Sequence, residues 1–258
     1  KRLCRDQCFI DFLILKFANF KRFGVEGLNA FTSALGKLVE VAAESKVEHI
    51  VMGMAHRGRL NSLHCVFEKP AQQIFKEFLE KSEPDTNVTS GDVKYHLGYL
   101  NRKQFGENKI YLNMLPNPSH LEAVDPLVYG TTRAIQEYMK DKDRSKAMGV
   151  VVHGDAALAG QGIVYESLQL QDLVDYTTGG VIHIVMNNQV GFTTNPWQSR
   201  SSFYCTEIAK VIGAPIIHVN ADEPDLLDHC MQVAVQYRQK FKKDIFIDIV
   251  GYRRFGHN

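Results

Sequence analysis

The sequence predicts a doubly wound α/β fold, a mostly parallel sheet with helices on both faces. Three observations carry that prediction. Residues 149–153 (Gly-Val-Val-Val-His) and 181–186 (Val-Ile-His-Ile-Val-Met) are continuous β-branched runs, the pattern of parallel strands covered on both sides. Between them, Ile163, Leu168, Leu170 and Leu173 fall near helical spacing from Gly162 to about Tyr176, and Gly179-Gly180 is a stop signal. Similar strand and helix signals alternate along the rest of the chain.

Taken in order, the longest apolar stretch, Cys8 to Phe20, contains Asp11 and Lys16 and is too short to span a bilayer, so it is expected as a packed helix. Leu28, Phe31, Leu35, Leu38, Val39 and Ala42 recur at helical spacing over Gly27 to Ser45, and His49 to Met52 reads as a strand running into Gly53-Met54-Ala55-His56-Arg57-Gly58-Arg59-Leu60-Asn61. A helix is expected from about Ala71 to Lys81, then a mobile polar loop from Ser82 to Gly91. Lys109 to Leu115 is the next strand, closed by Pro116-Asn117-Pro118-Ser119-His120-Leu121. After the central unit come a strand at 215–219, a helix from Asp222 as N-cap through Pro224 to about Lys242, and a strand at 245–250. No internal repeat, low-complexity tract or interdomain linker stands out. The expected division is a helical lead-in at 1–46 and an α/β domain at 47–258.

The composition of the 258 residues, 45% hydrophobic and 23% charged, suits an ordinary globular core. Thirty Lys plus Arg against 29 Asp plus Glu give no general attraction to nucleic acid or to an acidic membrane, so any anion site must be local. Five scattered cysteines without a Cys-x-x-Cys pair argue against a disulfide scaffold or structural zinc and favour a reducing compartment. The chain opens at Lys1 and stops just after a strand, which is expected of a piece of something longer. Neither a signal peptide nor a mitochondrial presequence is visible.

The two central strands end in Gly154-Asp155-Ala156-Ala157 and Asn187-Asn188-Gln189-Val190. Carboxyl ends of parallel strands form the ligand crevice of an open sheet, which would bring Asp155 near Asn188. A carboxylate, an amide oxygen and a backbone carbonyl are hard ligands for Mg²⁺ when phosphate or water completes the shell. Asp155 beside a bare diphosphate would be repelled by about 4 kcal/mol per charge pair at ~4 Å and an effective dielectric of ~20, so the arrangement requires a cation. Either dipeptide alone reads as turn residues. A dinucleotide site competes poorly, because Ala159-Gly160-Gln161-Gly162 does not complete Gly-x-Gly-x-x-Gly.

Arg57 follows a strand end and should open onto the same crevice, where its fork can grip phosphate or carboxylate, although a lone Arg-x-Arg is usually a solvated turn. His96 lies in Gly91-Asp92-Val93-Lys94-Tyr95-His96-Leu97-Gly98, and a histidine there can shuttle protons or pair with a substrate carboxylate. Ten histidines are present, and spacing alone does not separate His56, His96, His120 and His257 from structural ones. Ser119-His120 lacks a Gly-x-Ser-x-Gly elbow, which leaves Ser119 as a hydrogen-bond donor in the pocket. Tyr95 and Phe192 are expected to be packing residues.

Together these blocks resemble the thiamine-diphosphate-dependent first component of the 2-oxoglutarate dehydrogenase complex. The Gly-Asp-small motif followed about thirty residues later by Asn-Asn is similar to the thiamine-diphosphate signature, and Lys21-Arg22-Phe23-Gly24-Val25-Glu26-Gly27, Asn117-Pro118-Ser119-His120-Leu121-Glu122-Ala123-Val124, Val190-Gly191-Phe192-Thr193-Thr194 and Tyr252-Arg253-Arg254-Phe255-Gly256-His257-Asn258 extend the match over nearly the whole chain. Leu28 departs from the family's usual second glycine.

The resemblance implies a transketolase-like, thiamine-diphosphate-binding fold. It implies that Arg57 holds the diphosphate, that Asp155, Asn188 and the Val190 carbonyl bind Mg²⁺, and that Ala156, Ala157, Ser119 and Leu121 line the cofactor. His56 and His96 would face the substrate, with His96 and Ser119 touching the 2-oxo acid. The implied reaction is decarboxylation of 2-oxoglutarate with succinyl transfer to a lipoyl group of the succinyltransferase component, in the tricarboxylic acid cycle. The cofactor supplies the carbanion chemistry. A homodimer in the mitochondrial matrix of a eukaryote, or in a bacterial cytoplasm, follows from the same resemblance, with no nucleic acid and no membrane insertion. The family's pyrimidine-binding half and activating glutamate have no counterpart here, so the chain alone is expected to be inactive. A related 2-oxoadipate dehydrogenase of lysine degradation and a non-catalytic assembly fragment are the alternatives.

Overall fold

A computed structural model describes residues 1–20, 22–79 and 96–257. The chain runs α1 (Arg2–Lys16), α2 (Ala30–Glu44), β1 (His49–Met54), α3 (Arg59–Asn61) with a π-turn at Ser62–Val66, α4 (Ala71–Leu79), β2 (Tyr99–Phe105), β3 (Asn108–Met114) and α5 (Asp125–Met139). It continues with β4 (Ala147–Gly154), α6 (Asp155–Gly160), α7 (Gly162–Leu168), β5 (Val181–Asn187), α8 (Pro196–Ser199), a 3₁₀ segment at Cys205–Ile212, β6 (Ile216–Asn220), α9 (Pro224–Phe241) and β7 (Ile245–Val250). The seven strands form one sheet in the order β2-β3-β1-β4-β5-β7-β6, in which every pairing is parallel except β2 with β3.

Both sheet faces are covered, as the unbroken apolar strands require. Ile50, Met52, Met148, Val150, Ile182, Ile184, Ile245 and Ile247 point toward α1, α2 and α9. Their neighbours Val51, Val151 and Val181 meet α5 through Val124, Val128 and Tyr129, while Val185 and Phe246 meet Leu158, Val164 and Leu168 of α6 and α7. Successive residues of the central strands therefore enter opposite cores, which is why β4 and β5 do not alternate buried with exposed residues. Buried Leu28 sits after Gly27, whose φ of 99° makes the turn into α2.

Two buried arginines staple the two ends of the sheet. Arg59 donates to the carbonyls of Met54, Leu97 and Leu115, tying the carboxyl ends of β1 and β3 together. Arg238 of α9 donates to Gly180, Arg144, Ala147 and Thr178 at the entries to β4 and β5. Burial lowers the pKa of each to about 10, still far above neutrality, so both remain cationic.

Several expected elements differ. The helix expected to run from Gly162 to Tyr176 ends at Leu168, because Gln171 turns inward to accept the Asp244 N–H at 2.8 Å and Leu173 is left exposed. Asp222 is not the N-cap of α9: its N–H is taken by Asn220 Oδ1 in a local turn, and the helix starts after Glu223 with Pro224 first. The helix expected at Cys8–Phe20 is α1, which starts earlier and ends at Lys16. Strand β2 carried no signal in sequence, since it is a half-exposed edge with Arg102, Lys103 and Gln104 in its middle. Helix α5 was hidden by Gly130, Thr131 and Thr132, which are poor helix formers held by packing. The loop expected at Ser82–Gly91, and Tyr95 with it, lies outside the described residues.

Candidate functional site

The strand order reverses direction between β1 and β4, the topological switch point at which an open sheet splays its loops apart. Parallel register sets Met54 opposite Val152 and Gly154 opposite Met186, so the loops after β1, β4 and β5 leave the sheet side by side. They enclose a cleft of about 110 Å³. His56 and Arg57 enter it after β1, Asp155, Ala156 and Ala157 after β4, and Asn188 and Val190 after β5, with Leu121, Phe192, Arg253 and His257 closing the remaining sides.

Asp155 opens α6 immediately after Gly154 in extended backbone, which places the carboxylate at a helix start with 3% exposure. Burial raises its pKa to about 6, partly opposed by the Arg200 guanidinium at 3.6 Å and by the backbone N–H groups of Asp155 and Ala156, while Asp248 adds to the rise. Asn188 is buried and its Oδ1 accepts the Val190 N–H at 3.3 Å, and Gln189 between them takes a left-handed φ of 58°. That turn carries Asn188 and Val190 to the cleft together. A side chain at Gly191 would meet Ala156 Cβ at 2.7 Å, so the β5 loop can close on the β4 loop only with glycine there.

Arg57 donates from Nη1 to the Gly24 carbonyl and from Nη2 to the His257 carbonyl, both at 2.9 Å, which fixes the plane of its fork against the chain's two distant ends. Gly58, with φ of 69°, makes the sharp turn from this loop into α3. His56 packs on Phe23 with ring centroids 4.2 Å apart and meets His257 edge-on at 5.6 Å.

His96 and Ser119 are brought together, Ser119 Oγ lying 3.1 Å from His96 Nε2, but they stand beside the cleft and do not line it. His120 is exposed. Phe192 corrects its expectation as a packing residue: it is 64% exposed, lines the cleft and meets the His257 ring at a tilt, with centroids 4.8 Å apart.

Sequence reasoning missed Arg200, Arg253 and a buried polar chain behind the cleft. Glu122 Oε2 lies 2.6 Å from His153 Nδ1, His153 Nε2 lies 2.9 Å from His183 Nδ1, and His183 Nε2 lies 3.2 Å from Asp244 Oδ2, which also accepts the Tyr129 hydroxyl at 3.0 Å. Burial works against charging His153, and Glu122 and Asp125 overcome it and raise its pKa; burial lowers that of His183 despite Asp244. The available signal was a histidine within each of two apolar strands, near the end of β4 and inside β5, where nothing but a buried partner makes it tolerable.

A family model described as the dehydrogenase E1 component matches residues 2–258. The chain is 49% identical, over its whole length, to the 2-oxoglutarate dehydrogenase-like, mitochondrial protein of Xenopus laevis, of which it covers 25%. It is also 49% identical to the proteins named 2-oxoglutarate dehydrogenase, mitochondrial, of Dictyostelium discoideum and Schizosaccharomyces pombe, covering 26% of each. It thus spans about a quarter of the length of the curated relatives it matches. With that match running along the whole chain and a parallel sheet whose strand ends frame one cleft, the chain belongs to the dehydrogenase E1 component family.

Proposed function

We propose that residues 47–258, with 1–46 as a helical lead-in, are the diphosphate- and Mg²⁺-binding part of a thiamine-diphosphate-dependent 2-oxoglutarate dehydrogenase. The observation that carries this reading is the convergence of Asp155, Asn188 and Val190 on one cleft with Arg57, in a chain of the E1 family.

The residues fit the group. Asp155 and Asn188 offer hard oxygens, the Val190 carbonyl is a third, and a carboxylate driven up to about pH 6 by burial gains most from a divalent cation. Arg57, oriented by two carbonyls, is the diphosphate's cationic partner, and Ala156, Ala157 and Leu121 give the cofactor small or apolar walls. Thiamine diphosphate, when bound, supplies the carbanion chemistry. His56, which lines the cleft, and His96 would face the 2-oxo acid, with His96 as the carboxylate partner and Ser119 as its hydrogen-bonded neighbour. On the resemblance carried by the sequence, the whole protein would work as a homodimer, in the mitochondrial matrix of a eukaryote or the cytoplasm of a bacterium, and pass a succinyl group to a lipoyl-bearing succinyltransferase. The relatives named above are themselves called mitochondrial.

The test is a calorimetric titration of thiamine diphosphate into the full-length protein with and without Mg²⁺, in wild type, Asp155→Ala and Asn188→Ala. Mg²⁺-dependent binding lost in both variants is expected, and unchanged affinity in either sinks the ligand assignment. Turnover of 2-oxoglutarate compared with 2-oxoadipate by the same protein then decides the substrate.

A further inference from the structure

Glu122, Asp125 and His153 form a cluster behind the cleft, separate from Asp155 and Asn188. Their ligand-capable atoms all lie within 4.8 Å of one another, and the three residues are 5%, 2% and 1% exposed. Among the described residues no donor reaches Asp125 Oδ1 or Oδ2 or Glu122 Oε1, and burial next to Glu122 pushes the Asp125 carboxyl well up, so the two acids share a proton when no metal is bound. Buried carboxylate oxygens of this kind are held either by a proton or by a metal ion.

The hydrogen bonds behind His153 fix what its ring presents to that cluster. Asp244 takes the Val181 N–H on Oδ1 and the Tyr129 O–H on Oδ2, so it acts only as an acceptor. His183 Nε2–H therefore donates to Asp244, and His183 Nδ1 accepts from His153 Nε2–H. His153 Nδ1 then faces Glu122 Oε2 at 2.6 Å and Asp125 Oδ2 at 3.9 Å, the first contact a hydrogen bond in which the Nδ1–H of an imidazolium donates to the carboxylate. A divalent ion entering the cluster would take the place of that proton.

We propose that Glu122, Asp125 and His153 form a second metal site, built for a divalent ion of the zinc class. One imidazole nitrogen and two carboxylate oxygens are donors that zinc accepts, whereas Mg²⁺ prefers oxygen alone. An imidazole whose other nitrogen donates into a chain ending on a carboxylate is the arrangement that orients a metal-bound histidine. Donor atoms at zinc distances of about 2.0 to 2.2 Å sit roughly 3.3 Å apart, so the His153–Glu122 contact opens and Asp125 closes in. His153 and Leu121, the neighbour of Glu122, belong to the lining of the cleft, so the cluster lies directly behind it. The site fixes the end of β4 just before Asp155.

Full-length protein stripped with a chelator and saturated with Mg²⁺ is titrated with Zn²⁺ by calorimetry, and zinc is counted by elemental analysis after desalting. One zinc per chain is expected in wild type. Asp125→Asn, which keeps the side-chain shape, and Glu122→Gln should each weaken binding at least about tenfold, and His183→Gln by about 10- to 100-fold through the orienting chain. Asp155→Ala should lose the Mg²⁺ response and still retain one zinc, which keeps this site distinguishable from the cofactor site. No zinc retained by wild type, or equal affinity in wild type and Asp125→Asn, would overturn the proposal and leave a proton as the shared cation.

Discussion

Arg200 Nη1 lies 3.6 Å from Asp155 Oδ2, beyond hydrogen-bond reach, and this partnership does not offset the burial of the carboxylate. A carboxyl whose pKa rises from 3.8 to about 6 on folding binds its proton more tightly folded than unfolded. Its contribution to stability is then present at low pH and is lost as pH rises through about 4 to 6.

The first prediction follows from that sign. About two pKa units correspond to roughly 3 kcal/mol, so the metal-free protein with Asp155→Asn should be more stable than wild type at pH 7 by up to about that amount, and equal to it near pH 3.5. Denaturant unfolding at both pH values measures the difference. A variant no more stable than wild type at pH 7 would show that Arg200 and the helix start already satisfy the charge.

Arg59 gives a second prediction. Its guanidinium is fully buried and satisfies three carbonyls, at Met54, Leu97 and Leu115. Arg59→Met keeps much of the volume but leaves three buried acceptors bare, at about 1 to 3 kcal/mol each. A loss of at least about 3 kcal/mol in unfolding free energy is expected, and a loss under about 1 kcal/mol would mean that water replaces the guanidinium.

Gly53 and Gly149 let α5 approach the sheet. A Cβ at Gly53 would stand 2.6 Å from Val128 Cγ2 and 2.9 Å from Val124 Cγ1, and one at Gly149 would stand 2.9 Å from Val128 Cγ1. Gly53→Ala should therefore cost about 1 to 3 kcal/mol by overpacking. Because the clash is with Val128, adding Val128→Ala should recover part of it. Strictly additive losses in the double-mutant cycle would remove the steric explanation.

The parallel core was legible because its strands bury both faces, which leaves runs at 149–153, 181–186 and 245–250 that are apolar except for His153, His183 and Asp248. The same logic found the cleft, since Asp155, Asn188 and Arg57 each follow such a run. What stayed hidden depends on long-range partners. Edge strand β2 is half solvated, so its pattern is weak, and Gln171, Arg59 and Arg238 are explained only by carbonyls and N–H groups distant in sequence. His153 and His183 looked like misplaced polar residues until the fold set them beside one another and between Glu122 and Asp244.

The His96–Ser119 pair supports the last prediction. Ser119 Oγ and His96 Nε2 are 3.1 Å apart beside the cleft, and Asn117 N–H anchors the His96 carbonyl at 2.9 Å, so the two loops hold the imidazole from both its backbone and its ring. On the proposed function, a histidine positioned in this way meets the charge of a 2-oxo acid, while Arg57 and Asp155 line the cleft that His96 does not line. Loss of a charge-assisted contact is worth roughly 1.5 to 3 kcal/mol, so His96→Ala should lower kcat/KM for 2-oxoglutarate by about one to two decades. Ser119→Ala removes only a neutral hydrogen bond of about 1 kcal/mol and should cost about fivefold. Thiamine diphosphate affinity should change less than about twofold in both variants. If His96→Ala weakens the cofactor as much as it slows turnover, the imidazole belongs to the cofactor's wall; if it leaves the kinetics of the full-length protein at wild-type values, His96 is structural.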